Sequence, residues 1–119
     1  MKRILLVDRN LKTVEQLRDP LEERAFDVEI ALSGEIGLQV LEERRVDAIL
    51  LSIDEAMEED PAAFARVLAG IEPPIPVILV VEAVDTSGHE PQFGDALRAI
   101  HRKPLSLDGL LADIDRICR

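Results

Sequence analysis

Two stretches decide the fold: Ile4-Leu5-Leu6-Val7-Asp8-Arg9, and, further along, Val46-Asp47-Ala48-Ile49-Leu50-Leu51-Ser52. Each carries a short, unbroken run of aliphatic residues, Ile4 to Val7 and Ala48 to Leu51, that stops at polar ones. Runs this short and this apolar fit the strands of a parallel sheet covered on both faces. A third run of the same kind is Val77 to Val81. Between Asp27 and Leu32, the large apolar residues Val28, Ile30 and Leu32 alternate with polar or small ones, as in a half-exposed edge strand. Ala99-Ile100-His101, just ahead of Lys103-Pro104, is a weaker fifth candidate.

Helical patterns fill the intervals. Leu11, Val14, Leu17 and Leu21 mark the first, Ile36, Val40 and Leu41 the second, and Phe64, Val67, Leu68 and Ile71 the third. Asp60-Pro61 supplies a capping carboxylate and a proline suited to the first helical position. Leu107, Leu110, Leu111, Ile114 and Ile117 mark the last helix, with Ser106 as its N-cap. Pro20 falls inside the first helix and is expected to kink it near Gln16, whose carbonyl loses its partner. The fourth connection is irregular, because Gly88, Pro91 and Gly94 interrupt the stretch where a helix belongs. Five strands alternating with helices imply an α/β doubly wound parallel sheet with right-handed crossovers. In such a sheet, function sits at the carboxyl ends of the strands. Here those ends hold Asp8, Arg9 and Asn10, then Ser52 to Asp54, Val81-Glu82, and Lys103-Pro104.

Composition narrows the function. The 119 residues fit one domain, spanning residues 1–119, and 47% hydrophobic content is too much for a disordered acidic tail. A formal net charge of −10 argues against binding nucleic acid or an anionic membrane. No apolar run approaches the roughly 18–20 residues that span a bilayer, and Ile4 to Val7 is too short for the core of a signal peptide. The single cysteine, Cys118, rules out an internal disulfide and a CxxC site, and it suits a reducing cytoplasm.

Over essentially its whole length, the chain resembles the receiver domain of two-component response regulators. The resemblance rests on Ile4-Leu5-Leu6-Val7-Asp8, Val46 to Leu51, Ile75-Pro76-Val77-Ile78 and Arg102-Lys103-Pro104-Leu105, in that order and spacing. It implies a flavodoxin-like (βα)5 fold with strand order 2-1-3-4-5. It further implies a pocket in which two acids after the first strand help to hold Mg²⁺ and an aspartate ending the third strand accepts phosphate from a histidine kinase. In the family, a Thr or Ser ending the fourth strand and an aromatic on the fifth report that event, and a lysine before a proline contacts the phosphoryl group.

Little of that machinery is kept here. Asp8 matches the first acid, but the second position is Arg9; the acceptor position is Ser52, the hydroxyl position Val81 and the aromatic position Ile100. Lys103 and Pro104 match. Where the family places three carboxylates and one lysine, this pocket offers Asp8 against Arg9 and Lys103, with Asp54 as one further acid if it turns inward. The electrostatic case for a divalent cation, which needs oxygen ligands and negative charge, is lost. Arg9 either engages Asp8 or Asp54 through its planar fork or faces solvent. Ser52 lacks the ionised carboxylate that attacks phosphorus, and a serine hydroxyl needs a base to become comparably nucleophilic. Otherwise it simply fills a strand end. Asp54, two residues on, is either a displaced acceptor or a loop acid paired with Arg9 or Lys103. Val81 cannot hydrogen-bond a phosphoryl oxygen, and Ile100 cannot act as an amphipathic rotamer switch.

Other chemistry finds weaker support. The acids Asp54, Glu55, Glu58, Glu59 and Asp60 lack the spacing and glycine of an EF-hand. His89 and His101 have no nearby cysteine with which to build a zinc site. There is no glycine-rich nucleotide motif, and with no Trp or Tyr and three Phe, few rings are available to stack on a flavin or on exposed bases. The sequence therefore predicts an atypical receiver, a pseudo-receiver, that works through protein contacts, without enzymatic activity, metal or cofactor. Its partners would be an output domain in the same chain or a second copy, with His89, Phe93 and Ile100 as candidate contacts. The alternatives are a phospho-accepting receiver using Asp54 or Ser52, and a flavodoxin-like binder of a small anion beside Lys103.

Overall fold

The computed structural model describes residues 2–53, 61–81 and 93–118. Five strands form one parallel sheet: β1 (Arg3–Val7), β2 (Asp27–Ala31), β3 (Ala48–Ile53), β4 (Val77–Val81) and β5 (Leu97–Arg102), in the order β2-β1-β3-β4-β5. The helices among the described residues are α1 (Leu11–Glu23), α2 (Gly34–Glu43), α3 (Pro61–Ala69) and α4 (Leu107–Ile117). This is the doubly wound, five-stranded parallel sheet flanked by helices expected from the alternation of runs and helical patterns.

The period-two geometry of a strand explains the two cores. Leu5, Val7, Ile49, Leu51, Val77 and Leu79 point to one face, under Leu38 and Leu41 of α2 and Phe64 and Leu68 of α3. Ile4, Leu6, Ala48, Leu50 and Ile78 point to the other, under Leu17 and Leu21 of α1 and Leu110, Leu111 and Ile114 of α4. The central strands are buried on both sides, which is why their sequences read as unbroken apolar runs. The edge strand β2 is only half-buried until Ala31.

Local chemistry sets the helix limits. The Asn10, Ser33 and Ser106 side chains accept hydrogen bonds from the backbone N–H groups of Lys12, Ile36 and Gly109, capping α1, α2 and α4. Helix α1 ends in a Schellman motif: Phe26 N–H donates to the Leu21 carbonyl and Ala25 N–H to that of Glu22. Ala25 stands at the left-handed position of that motif, with φ of 66°. Gly37 lets α2 lie close to the sheet, since a Cβ there would come within 3.0 Å of Val7 and 3.2 Å of Phe64.

Several expectations are corrected. Helix α1 runs on through Pro20, with Leu17 and Leu21 buried on either side of it. Leu11, Leu32, Ile36 and Val67, read as inward-facing, are all exposed. Leu11 opens α1 and Leu32 lies beyond the end of β2, while Gly34 and Gly37 take the buried positions of α2. The capping role of Asp60 and the Gly88–Pro91 part of the irregular connection lie outside the described residues. Gly94 opens a single 3₁₀ turn, Gly94–Ala96, that leads into β5.

Candidate functional site

The carboxyl ends of β1, β3, β4 and the segment after β5 converge on Asp8. This residue follows the last position of β1, and its backbone N–H donates to the Ala31 carbonyl of β2 at 3.1 Å. Parallel register pairs Val7 with Leu51, which brings Ser52 of β3 level with Asp8. Asp8 is one of two buried polar or charged residues among those described, at 6% exposure.

A carboxylate removed from water needs partners. Asp8 has them on both oxygens. Its Oδ1 accepts from the Asn10 backbone N–H at 2.8 Å, and its Oδ2 accepts from the Ser52 hydroxyl at 2.7 Å. The Lys103 ammonium stands 3.8 Å from Oδ2 and supplies an opposite charge. Lys103 is held there through its backbone, whose N–H donates to the Val81 carbonyl at 2.9 Å, and the Lys103–Pro104 peptide bond is cis.

The remaining positions fall as follows. Val81 closes β4 at 6% exposure and packs into the core beneath α2 and α3. Arg9 and Pro104 are exposed at the rim of the site. Ile100 stands on β5, 39% exposed. Phe93, a candidate contact residue, is 6% exposed and packs in the core cluster that includes Ala65 and Leu68. Asp54 and His89 lie outside the described residues.

The described residues do not fit a bound magnesium ion. Mg²⁺ asks for several oxygen ligands in octahedral array, usually with more than one carboxylate. Among the described residues, Asp8 is the carboxylate at this position; its two oxygens are already engaged, one of them facing an ammonium group. No cluster of three or more His, Cys, Asp or Glu side chains suited to a metal occurs among the described residues. What the arrangement does chemically is to neutralise and satisfy a buried carboxylate from within.

Asn10, which the sequence placed at the end of β1, was given no role there. An Asx residue directly ahead of a helical pattern is a recognisable N-cap, and the same turn that caps α1 aims the Asn10 N–H at Asp8. A second polar link went unforeseen: His101 Nε2 lies 2.7 Å from Asp113 Oδ2, joining β5 to α4, while Arg116 donates to the other Asp113 oxygen at 2.7 Å. These partners, Arg116 first and His101 next, hold the Asp113 carboxyl below its ordinary pKa. Burial pushes the Cys118 thiol above its ordinary value, which makes it a poor nucleophile.

No protein-family model matches the chain. No curated protein matches it either. Solved structures do. A CheY-like response regulator receiver domain from Methanospirillum hungatei JF-1 superimposes with a TM-score of 0.84 at 23% identity, over 98% of this chain and 92% of that one. An orphan response regulator of H. pylori gives 0.81 at 21% identity, over 99% and 97%. The signal receiver domain of an HD domain-containing protein from Pseudomonas fluorescens Pf-5 gives 0.82 at 21% identity, over 98% and 93%. The chain has the receiver-domain fold of response regulators across nearly its full length.

Proposed function

We propose that this chain is a pseudo-receiver: an atypical response-regulator receiver that acts in two-component or phosphorelay-type signalling through protein contacts and without accepting a phosphoryl group. The observation that carries this reading is the engagement of Asp8. The Ser52 hydroxyl occupies the acceptor position and is spent on Asp8, and Lys103 faces Asp8 where it would otherwise meet phosphate. Val81 and Ile100 add support, because neither side chain can hydrogen-bond an incoming phosphoryl group or report its arrival. On this reading the protein is a cytoplasmic signalling module, not an enzyme, and it requires no cofactor. Its partner is an output domain in the same chain or a second copy; the Pseudomonas neighbour is a receiver joined to an HD domain. Among the described residues no helix is long and apolar enough to cross a membrane.

Magnesium titration followed by backbone amide shifts tests this directly. Wild-type protein is expected to show no saturable shifts at Asp8, Asn10 and Ser52 with millimolar Mg²⁺. The Arg9→Asp/Ser52→Asp double variant restores carboxylates at both positions and is expected to show them. Saturable wild-type shifts at those three amides would contradict the reading.

One observation favours a second reading. A serine hydroxyl donating to a buried carboxylate is also the geometry of a nucleophile beside its base. Against it, the carboxylate is shared: the Asn10 N–H donates to its other oxygen, and the Lys103 ammonium faces the same oxygen as Ser52. The small-anion reading has only Lys103 in its favour, and Lys103 already faces Asp8.

A further inference from the structure

A groove of about 330 Å³ lies between the carboxyl end of α3 and the turn that leads into β5. Its apolar lining includes Ala65, Leu68, Ala69 and Phe93, and its charged lining residues among those described are Glu72 and Asp95. Glu72 lies ahead of β4 and Asp95 immediately ahead of β5, so the groove sits at the amino ends of these parallel strands. That is the edge opposite the Asp8 pocket. Three features suit it to an occupant. The floor is preformed, because Leu68, Ala65 and Phe93 are at most 8% exposed and belong to the core. The alanines on α3 leave a depression in which a partner's side chain can bury apolar area. Both carboxylates are exposed, and among the described residues no Lys or Arg lines the groove.

We propose that this groove docks a basic amphipathic segment of a partner protein, which lays an apolar side chain between Ala69 and Phe93 and sets Lys or Arg beside Glu72 and Asp95. Charge complementarity selects this occupant. Against a chain of net charge −10, a basic segment is attracted at long range and finds a carboxylate at each side of an apolar depression. A second copy of this chain is disfavoured, since it would bring the same excess of negative charge to the contact. A volume near the lower end of the ligand-pocket range, about 300–1,000 Å³, suits one or two aliphatic side chains better than a cofactor. This names the kind of partner that the pseudo-receiver reading leaves open. It involves no phosphate, so either idea can fail alone: a phosphorylatable pocket would leave the groove unchanged, and an empty groove would leave Asp8 engaged as before.

The test uses two short amphipathic peptides, one of Leu, Ala and Lys and the other of Leu, Ala and Glu, titrated into isotopically labelled protein. The Lys peptide is expected to bind with amide shifts centred on residues 65–72 and 93–96, and the Glu peptide is expected not to bind. Reversing both rim charges, Glu72→Lys with Asp95→Lys, is expected to weaken binding by about tenfold or more. The matched control, Glu42→Lys with Glu43→Lys on the exposed side of α2, changes net charge equally and is expected to weaken it far less. Ala69→Phe, at an exposed position, is expected to fill the groove and abolish binding while the remaining amide spectrum stays folded. Equal loss in the control variant, equal binding of the Glu peptide, shifts centred elsewhere, or no binding of the Lys peptide would each overturn the proposal. So would self-association of the wild type that Ala69→Phe abolishes, because the occupant would then be a second copy.

Discussion

The Ser52 hydroxyl donates to Asp8 Oδ2 across 2.7 Å, linking the end of β3 to the end of β1 around a carboxylate that is 6% exposed. Removing a donor from a buried charged acceptor costs more than an average hydrogen bond returns, because the acceptor stays dry and unsatisfied. Ser52→Ala is therefore expected to lower stability by about 1–2 kcal/mol, less than the loss of every partner since Asn10 and Lys103 remain. Urea denaturation of wild type and variant measures it. An unchanged midpoint would mean that the hydrogen bond contributes nothing.

The same bond explains what was and was not legible in the sequence. The unbroken runs at Ile4, Ala48 and Val77 fit strands buried on both faces and alternate with helical patterns, so the sheet and its two helical layers were readable from them. The site positions followed because strand ends in a parallel sheet are fixed by where each apolar run stops. What the residues did next was not readable. Asp8 and Ser52 are 44 positions apart, and whether they touch depends on parallel register. Exposure was misjudged for Ile36 because glycine, which carries no hydrophobic signal, fills the inward positions of α2. The burial of Phe93 was hidden as well: a lone aromatic between Pro91 and Gly94 reads as a loop residue until the core beneath it is seen.

Ala25 adopts φ of 66° at the end of α1, a conformation that costs an L-residue roughly 1–2 kcal/mol and glycine little. Glycine also raises the entropy of the unfolded chain, which offsets part of the relief. Ala25→Gly is expected to stabilise the protein by up to about 1 kcal/mol, a rise of a few degrees in Tm. Thermal unfolding checks it, and a lower Tm would contradict the strain.

Asp113 ties α4 to β5 through His101, and its carboxyl is held below the ordinary value chiefly by Arg116 and then by His101. A carboxyl with a depressed folded-state pKa contributes stability that is present above its unfolded value. That contribution disappears as pH falls through the folded one. Asp113→Asn is therefore expected to be less stable than wild type at neutral pH, by about 0.5–1 kcal/mol for a partly exposed pair. The two should converge as the pH drops into and below the carboxylate range. Urea midpoints across a pH series from acid to neutral check this; a gap that persists in acid would assign the effect to packing.

The central claim concerns phosphate. The most direct measurement is the intact mass of the wild-type protein after incubation with acetyl phosphate and Mg²⁺, with Arg9→Asp/Ser52→Asp run alongside as the variant with restored carboxylates. With Asp8 already satisfied by Ser52, Asn10 and Lys103, the wild type is expected to gain no mass. A gain of one phosphoryl group on the wild type, lost on Ser52→Ala or Asp54→Asn, would contradict the account and make this domain a phosphate-driven switch.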